Sequence, residues 1–231
     1  MIKDLRPLAA EFVGTLLFVF LGAGSVVASG ATGPSAASIG AVGVALAHGV
    51  ALAILVSATL NISGGHLNPA VTVAIWIANR IDGRRAVLYI AAQLVGALLG
   101  AALLKGTFPR MPVTVALAGT PQLAGTITFM QGVWIEAILT FFLVSAVFGT
   151  AVSPDAPQMG GWGIGLAVLV GALVAGNLTG AAMNPARAFG PAVVSRSLNG
   201  HAVYWIGPLL GAALAGALWK ALLLPRDGTK F

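Results

Sequence analysis

The tripeptide Asn-Pro-Ala occurs twice in this chain of 231 residues. Asn favours the N-cap of a helix, Pro favours the first helical position, and the residue before Pro is pushed out of the α region, so each copy predicts a helix start. The apolar segment that begins at each copy would be about 16 Å long as a helix, which is roughly half the thickness of the hydrocarbon core of a bilayer. One copy alone would be typical of a loop turn, but two predict paired half-helices. The motif residues are Asn68, Pro69, Ala70, Asn184, Pro185 and Ala186.

Composition places the whole chain in a membrane. The chain is 58% hydrophobic and only 8% charged, whereas soluble domains carry about 25% charged residues. Six further apolar segments approach the roughly 20 residues that cross the hydrocarbon core. We expect the first to be a retained span rather than a signal peptide, because no small-residue cleavage site follows it. The predicted spans are 8–29, 37–60, 84–106, 130–152, 161–178 and 200–223, and the half-length pieces are 69–79 and 185–195.

The distribution of Lys and Arg predicts the orientation. Because the number of full spans is even, eight of these cations fall on one side, which is then cytoplasmic together with both termini. The cell membrane, plasma or inner, is the expected location. The net charge of +6 fits cytoplasmic loops better than nucleic-acid binding, which we do not expect. The eight cations are Lys3, Arg6, Arg80, Arg84, Arg85, Lys220, Arg226 and Lys230.

The two halves of the chain repeat each other. The stretch "EFVGTLLFVF" from Glu11 resembles "EAILTFFLVS" from Glu136, and "YIAAQLVGALLGAALL" from Tyr89 resembles "YWIGPLLGAALAGALW" from Tyr204. Three spans per half is an odd number, so the halves must have opposite orientations. The predicted fold is an all-α membrane protein of six transmembrane helices plus two half-membrane re-entrant helices. Its inverted repeats cover roughly 8–106 and 130–223 within one domain, 1–231.

Half-helices that enter from opposite faces would meet near the midplane. Their N-termini, each with partial positive charge, would face each other there. Irregular backbone at that depth must be buried in protein or line a water-filled cavity. The side chains of Asn68 and Asn184 would each aim amide donors at that cavity.

These paired motifs, with the repeat around them, resemble the aquaporin or major intrinsic protein family over nearly the whole chain. The resemblance implies a passive water channel with one pore in each subunit of a homotetramer. It also implies a second narrowing near the outer mouth. Matching by motif assigns this selectivity filter to His48, Ala172, Ala181 and Arg187, with Gly171 as the near alternative to Ala172.

The filter residues indicate a branch of the family. Orthodox water channels usually have Phe at the position of His48 and His at that of Ala172. The sequence "MNPARAFGPAVV" looks like the tonoplast intrinsic proteins and their ammonia- or peroxide-permeable relatives. We therefore expect passage of water and of small neutral solutes such as ammonia or hydrogen peroxide, with protons and ions excluded. The alternative is a glycerol- or urea-type aquaglyceroporin, which typically has Asp where this chain has Ala188.

Glu11 and Glu136 are acids within predicted spans, where acids are functional or structural by default. One hypothesis is a proton relay. The repeat symmetry and the family favour a structural role, in which each carboxylate accepts hydrogen bonds from the loop before a half-helix. His66 could hold such a loop or face the inner vestibule. The pairs Gly96/Gly100 and Gly207/Gly211 predict close helix contacts.

Other function classes receive little support from the sequence. No combination of His, Cys and Asp lies at catalytic or metal-binding spacing, and the chain has no Cys, so we expect no enzyme, metal or cofactor. A secondary transporter also uses inverted repeats and broken helices, but it would normally need more spans and polar midplane residues. The expected partners are water, small neutral solutes and the lipid bilayer.

Overall fold

The computed structural model describes residues 5–30 and 39–225, and every regular element within them is helical. Nine α-helices are numbered in chain order over these residues. A 3-10 turn at Leu117–Gly119 follows α5, and π-helical turns at Phe148–Val152 and Trp219–Leu223 extend α6 and α9. The helices are α1 (Leu5–Ser29), α2 (Gly40–Ser63), α3 (Pro69–Ile77), α4 (Gly83–Thr107), α5 (Arg110–Val115), α6 (Phe129–Val147), α7 (Trp162–Thr179), α8 (Pro185–Ser195) and α9 (Val203–Leu218).

Six of these elements are long and apolar enough to cross a membrane: α1, α2, α4, α6 with its extension, α7, and α9 with its extension. They confirm the six predicted spans to within a few residues, and α3 and α8 confirm the two half-length helices. Helix α5 was not predicted and lies in the connection between the halves. Residues 37–38 of the second predicted span, and Lys3, Arg226 and Lys230, lie outside the described residues.

Helix packing is the same in the two halves. In the first half α1 packs on α2 and α4, and in the second α6 packs on α7 and α9. Helices α2 and α7, one from each half, pack against each other. Each half-helix packs on a long helix of the opposite half, α3 on α9 and α8 on α4. Each half-helix therefore packs against the half of the chain that does not carry it.

Glycines allow the long helices to approach closely at equivalent places. A Cβ added to Gly96 or Gly100 of α4 would collide with the carbonyls of Phe12 and Leu16 in α1. In the second half a Cβ on Gly207 would lie 2.7 Å from the carbonyl oxygen of Val133. A Cβ on Gly211 would collide with the carbonyl oxygen of Ala137, also in α6. The predicted close contacts are therefore present, and they bring the backbones of these helices together beside the half-helices.

Candidate functional site

Each Asn of the paired motifs caps its own half-helix. Asn68 is extended, with φ −159°, and its side-chain oxygen accepts from the backbone N–H of Ala70 at 2.8 Å. Asn184 likewise accepts from the N–H groups of Ala186 and Arg187, at 3.0 and 3.2 Å. Pro occupies the first turn of both helices. The local chemistry of Asn-Pro-Ala thus gives the predicted helix starts.

The same two Asn side chains tie the half-helices to each other. The amide nitrogen of Asn68 donates to the carbonyl of Met183 at 2.9 Å, and that of Asn184 donates to the carbonyl of Leu67 at 2.9 Å. Leu67 and Met183 have left-handed backbones, with φ 48° and 49°, which turn these carbonyls toward the opposite Asn. Each amide carries a second N–H, for which the described parts of the chain provide no acceptor.

Glu11 holds the loop before α3. One carboxylate oxygen accepts from the hydroxyl of Ser63 at 2.6 Å and from the N–H of His66 at 3.0 Å. The other accepts from the N–H of Leu67 and from the amide of Gln93, both at 2.7 Å. A buried carboxylate needs such donors, because an unpaired charge in a low dielectric is very costly.

Glu136 holds the loop before α8 in the same way. Its carboxylate accepts from the hydroxyl of Thr179 at 2.7 Å and from the N–H groups of Ala182 and Met183 at 2.9 and 2.7 Å. Like Glu11, Glu136 has no exposed surface, and neither acid lines any of the three cavities beside the paired motifs. This geometry favours the structural hypothesis for both acids over the proton relay.

Sequence reasoning missed the side chains that complete these acid sites. Ser63 and Thr179 occupy the same place in "SGGHLNPA" and "TGAAMNPA", so the repeat contained the signal. Gln93 has no such signal, because Pro208 stands at its place in the second half. The amide of Gln93 also donates to the hydroxyl of Thr72 in α3 at 3.0 Å.

Three cavities follow one another past the paired motifs. A cavity of about 400 Å³ beside His48 and Arg187 is called the outer cavity, and one of about 410 Å³ beside Arg80 is called the inner cavity. Between them is a small middle cavity of about 10 Å³, which both Asn68 and Asn184 line. Ala182 lines both the outer and the middle cavity, and His66 lines both the middle and the inner one. The middle cavity is large enough for about one water molecule. The three cavities therefore lie in a row, with the narrowest one between the two Asn residues.

The four residues assigned to the outer narrowing come together. His48, Ala172, Ala181 and Arg187 all line the outer cavity. Gly171 instead packs against the side chain of Met183, because a Cβ added there would lie 2.8 Å from the sulfur. The structure therefore places Ala172, and not Gly171, on the cavity wall.

His48 and Arg187 are bonded to each other rather than separate wall groups. The Nδ1 atom of His48 lies 2.9 Å from the carbonyl of Val44, which assigns the proton to Nδ1. The Nε2 atom then accepts from Nε and Nη2 of Arg187, at 3.3 and 3.1 Å, while Nη1 of Arg187 donates to the carbonyl of Gly119 at 2.9 Å. Both ring nitrogens of His48 therefore have partners, and the donors left on this part of the cavity wall are the remaining N–H groups of Arg187.

His66 combines the two roles between which the sequence left a choice. Its backbone N–H donates to Glu11, and the residue lines the middle and inner cavities. The Nδ1 atom lies 3.1 Å from the hydroxyl of Thr72.

Within residues 5–30 and 39–225 there is no group of three or more His, Cys, Asp or Glu side chains that could hold a metal ion.

Comparisons with known proteins agree with this geometry. The family model described as "Major intrinsic protein" matches residues 1–219. The chain is 43% identical to "Aquaporin TIP4-4" of Zea mays, over 98% of this chain and 93% of that protein. It is 40% identical to "Aquaporin-4" of Mus musculus, over 95% of this chain and 68% of the relative. The solved "X-ray structure of the aquaglyceroporin from Plasmodium falciparum" superposes with a TM-score of 0.84 at 23% identity, covering 94% and 96% of the two chains, which shows a shared fold.

The absence of native Cys makes the wall of the outer cavity testable. Ala181 lines that cavity, so Ala181→Cys should react with a membrane-impermeant mercurial added to the outer side. Ala188→Cys is the matched control, since Ala188 is fully buried and should stay unreacted. Wild type should not react, because the chain has no Cys. Mass spectrometry after labelling gives the result, and equal labelling of the two variants would remove Ala181 from the cavity wall.

Proposed function

The chain belongs to the major intrinsic protein family, and we propose that it is a passive water channel with the pore inside its own helix bundle. The single observation that carries this proposal is the small middle cavity lined by Asn68 and Asn184. It lies between two larger cavities and beside the capped N-termini of two half-helices. Water could pass there in single file without a coupling ion or a conformational cycle.

The hydrogen bonding of the two Asn side chains supports proton exclusion. Each amide uses one N–H for the opposite loop, so the second can donate to the oxygen of a water molecule between them. The hydrogens of that water must then point away on both sides, and the water chain reverses polarity at the centre. The positive ends of the half-helices and the charge of Arg187 also oppose a cation.

Proteoliposomes test both parts of this proposal. We expect osmotic shrinkage several-fold faster than that of protein-free vesicles, with a lower activation energy because water no longer crosses lipid. Light scattering measures the shrinkage, and an entrapped pH dye measures proton entry under a pH gradient. Shrinkage no faster than in protein-free vesicles would contradict the water channel, whereas fast shrinkage accompanied by a proton current would contradict only the exclusion argument.

The residues of the outer narrowing favour the passage of small solutes in addition to water. Ala172 and Ala181 are small where they line the outer cavity, so two of the four positions contribute few atoms to the wall. Arg187 is held by His48 and Gly119, and its remaining N–H groups can donate to a solute oxygen or to the lone pair of ammonia. We therefore propose that ammonia and hydrogen peroxide pass together with water.

Refilling the narrowing should separate these solutes from water. In the double variant, Ala172→His replaces a small side chain by a larger one, and His48→Phe replaces a polar ring by an apolar one. We expect the permeability to ammonia and to peroxide to fall by more than the permeability to water. Each single variant is the matched control for the double variant. Equal loss of all three fluxes, or a wild type that passes only water, would contradict the filter assignment. Glycerol or urea flux comparable to water flux would favour the aquaglyceroporin alternative.

Family membership and the six apolar helices make the chain an integral membrane protein. We propose that the side carrying Arg6, Arg80, Arg84, Arg85 and Lys220 is cytoplasmic. In support, Arg80 and Arg85 line one cavity, Arg84 and Arg85 line another with the residues on either side of Arg6, and Lys220 bonds to the end of α3. On this proposal both termini are cytoplasmic. The homotetramer is likewise proposed from the family resemblance, and the cell membrane stays a prediction.

A further inference from the structure

Two lysines bond to the C-terminal ends of the two half-helices. The ammonium of Lys220 donates to the carbonyl of Ile77, the last residue of α3, at 3.0 Å. The ammonium of Lys105 donates to the carbonyl of Val194, next to last in α8, at 3.3 Å. No other cationic side chain in residues 5–30 and 39–225 has a hydrogen bond to a half-helix carbonyl.

The two lysines occupy the same place in the inverted repeat. Each directly follows its repeated stretch, sixteen positions after the opening tyrosine, which is Tyr89 for Lys105 and Tyr204 for Lys220. Lys105 lies in α4, the long helix on which α8 packs. Lys220 lies in the extension of α9, the long helix on which α3 packs. A bond repeated at symmetric positions by two separate segments points to a shared role.

Helix physics says what such a bond does. The last carbonyls of a helix have no partner within the helix, and its C-terminus carries partial negative charge that a cation stabilises. Exposed lysines at a membrane surface commonly extend the ammonium into water. These two instead return it to a backbone carbonyl, where one side chain supplies both the missing hydrogen bond and the complementary charge.

We propose that Lys105 and Lys220 are positioning residues that anchor the outer end of α8 and the inner end of α3. Each half-helix is then held at both ends, by an Asn cap and a Glu-bound loop at the midplane and by a lysine at the membrane surface. The anchors fix how far each half-helix enters the bundle, and so fix Asn68 and Asn184. Their effect on conduction rests on the proposed water channel, whereas their effect on the half-helices does not.

Hydrogen–deuterium exchange of the purified full-length protein tests the anchors directly. Lys220→Met and Lys105→Met keep the side-chain length and remove the charge and donors. We expect amides in the last turn of α3, within 74–81, to exchange roughly two- to five-fold faster in Lys220→Met, and those within 191–198 to respond in the same way to Lys105→Met. Each variant should leave the other region unchanged, a pattern that general destabilisation would not produce.

Conservative and matched variants complete the experiment. Lys105→Arg and Lys220→Arg keep a cationic donor and should restore wild-type exchange. Arg110→Met and Arg84→Met remove exposed cations that make no side-chain bond to a half-helix, and should leave both regions unchanged. Unchanged exchange in the Lys→Met variants, faster exchange in both regions at once, or equal changes in the Arg controls would overturn the proposal.

Water permeability provides the functional readout in the same proteins. If the anchors set the positions of the two Asn residues, each Lys→Met variant should conduct less water per channel than its Lys→Arg partner. A Lys→Met variant that exchanges faster locally but conducts like wild type would overturn the link to Asn placement. A wild-type protein that does not conduct water would instead contradict the proposed water channel. The exchange experiment would then still test whether the two lysines anchor the half-helices.

Discussion

The structure depends on satisfying backbone groups at a depth where lipid offers no partner. Two half-helices that stop inside the bundle leave loops there, and each unpaired N–H or C=O would cost several kcal/mol in a hydrocarbon environment. The fold meets this constraint with buried side chains. Glu11 and Glu136 accept the loop N–H groups, and Asn68 and Asn184 bond the opposite loop carbonyls. The same bonds that make the loops tolerable also hold them in one conformation.

That fixed conformation gives the centre of the path its chemistry. The half-helix N-termini face the middle cavity with positive dipole ends, and each Asn retains an amide N–H after its structural bonds are made. The arrangement offers donors and positive potential, which suits the oxygen of a neutral molecule and opposes a cation. At the outer end the guanidinium of Arg187 is held by His48 and Gly119, so the charge stands at a fixed place on the wall.

The elements with strong local signals could be predicted from the sequence. Helix starts at Pro69 and Pro185 follow from the chemistry of Asn-Pro, and the membrane helices follow from apolar length. Interactions between distant side chains could not be predicted in this way. Nothing local to Gln93 indicates a bond to Glu11, and His48 gave no signal that Arg187 would use its acceptor nitrogen. The sequence contains Lys105 and Lys220 at equivalent positions, but only the packing of α8 and α3 gives them carbonyl partners.

In the proposed channel, water crosses the membrane between the side chains of Asn68 and Asn184. A density map of the protein in a lipid nanodisc, at a resolution that shows ordered water, would show whether water occupies this place. We expect a water molecule in the middle cavity, with its oxygen within about 3.2 Å of the amide nitrogens of both Asn68 and Asn184. We also expect a continuous file of water from this molecule into the outer and inner cavities. A dry centre closed by the apolar side chains around it, with no water between the two amides, would contradict the proposed channel.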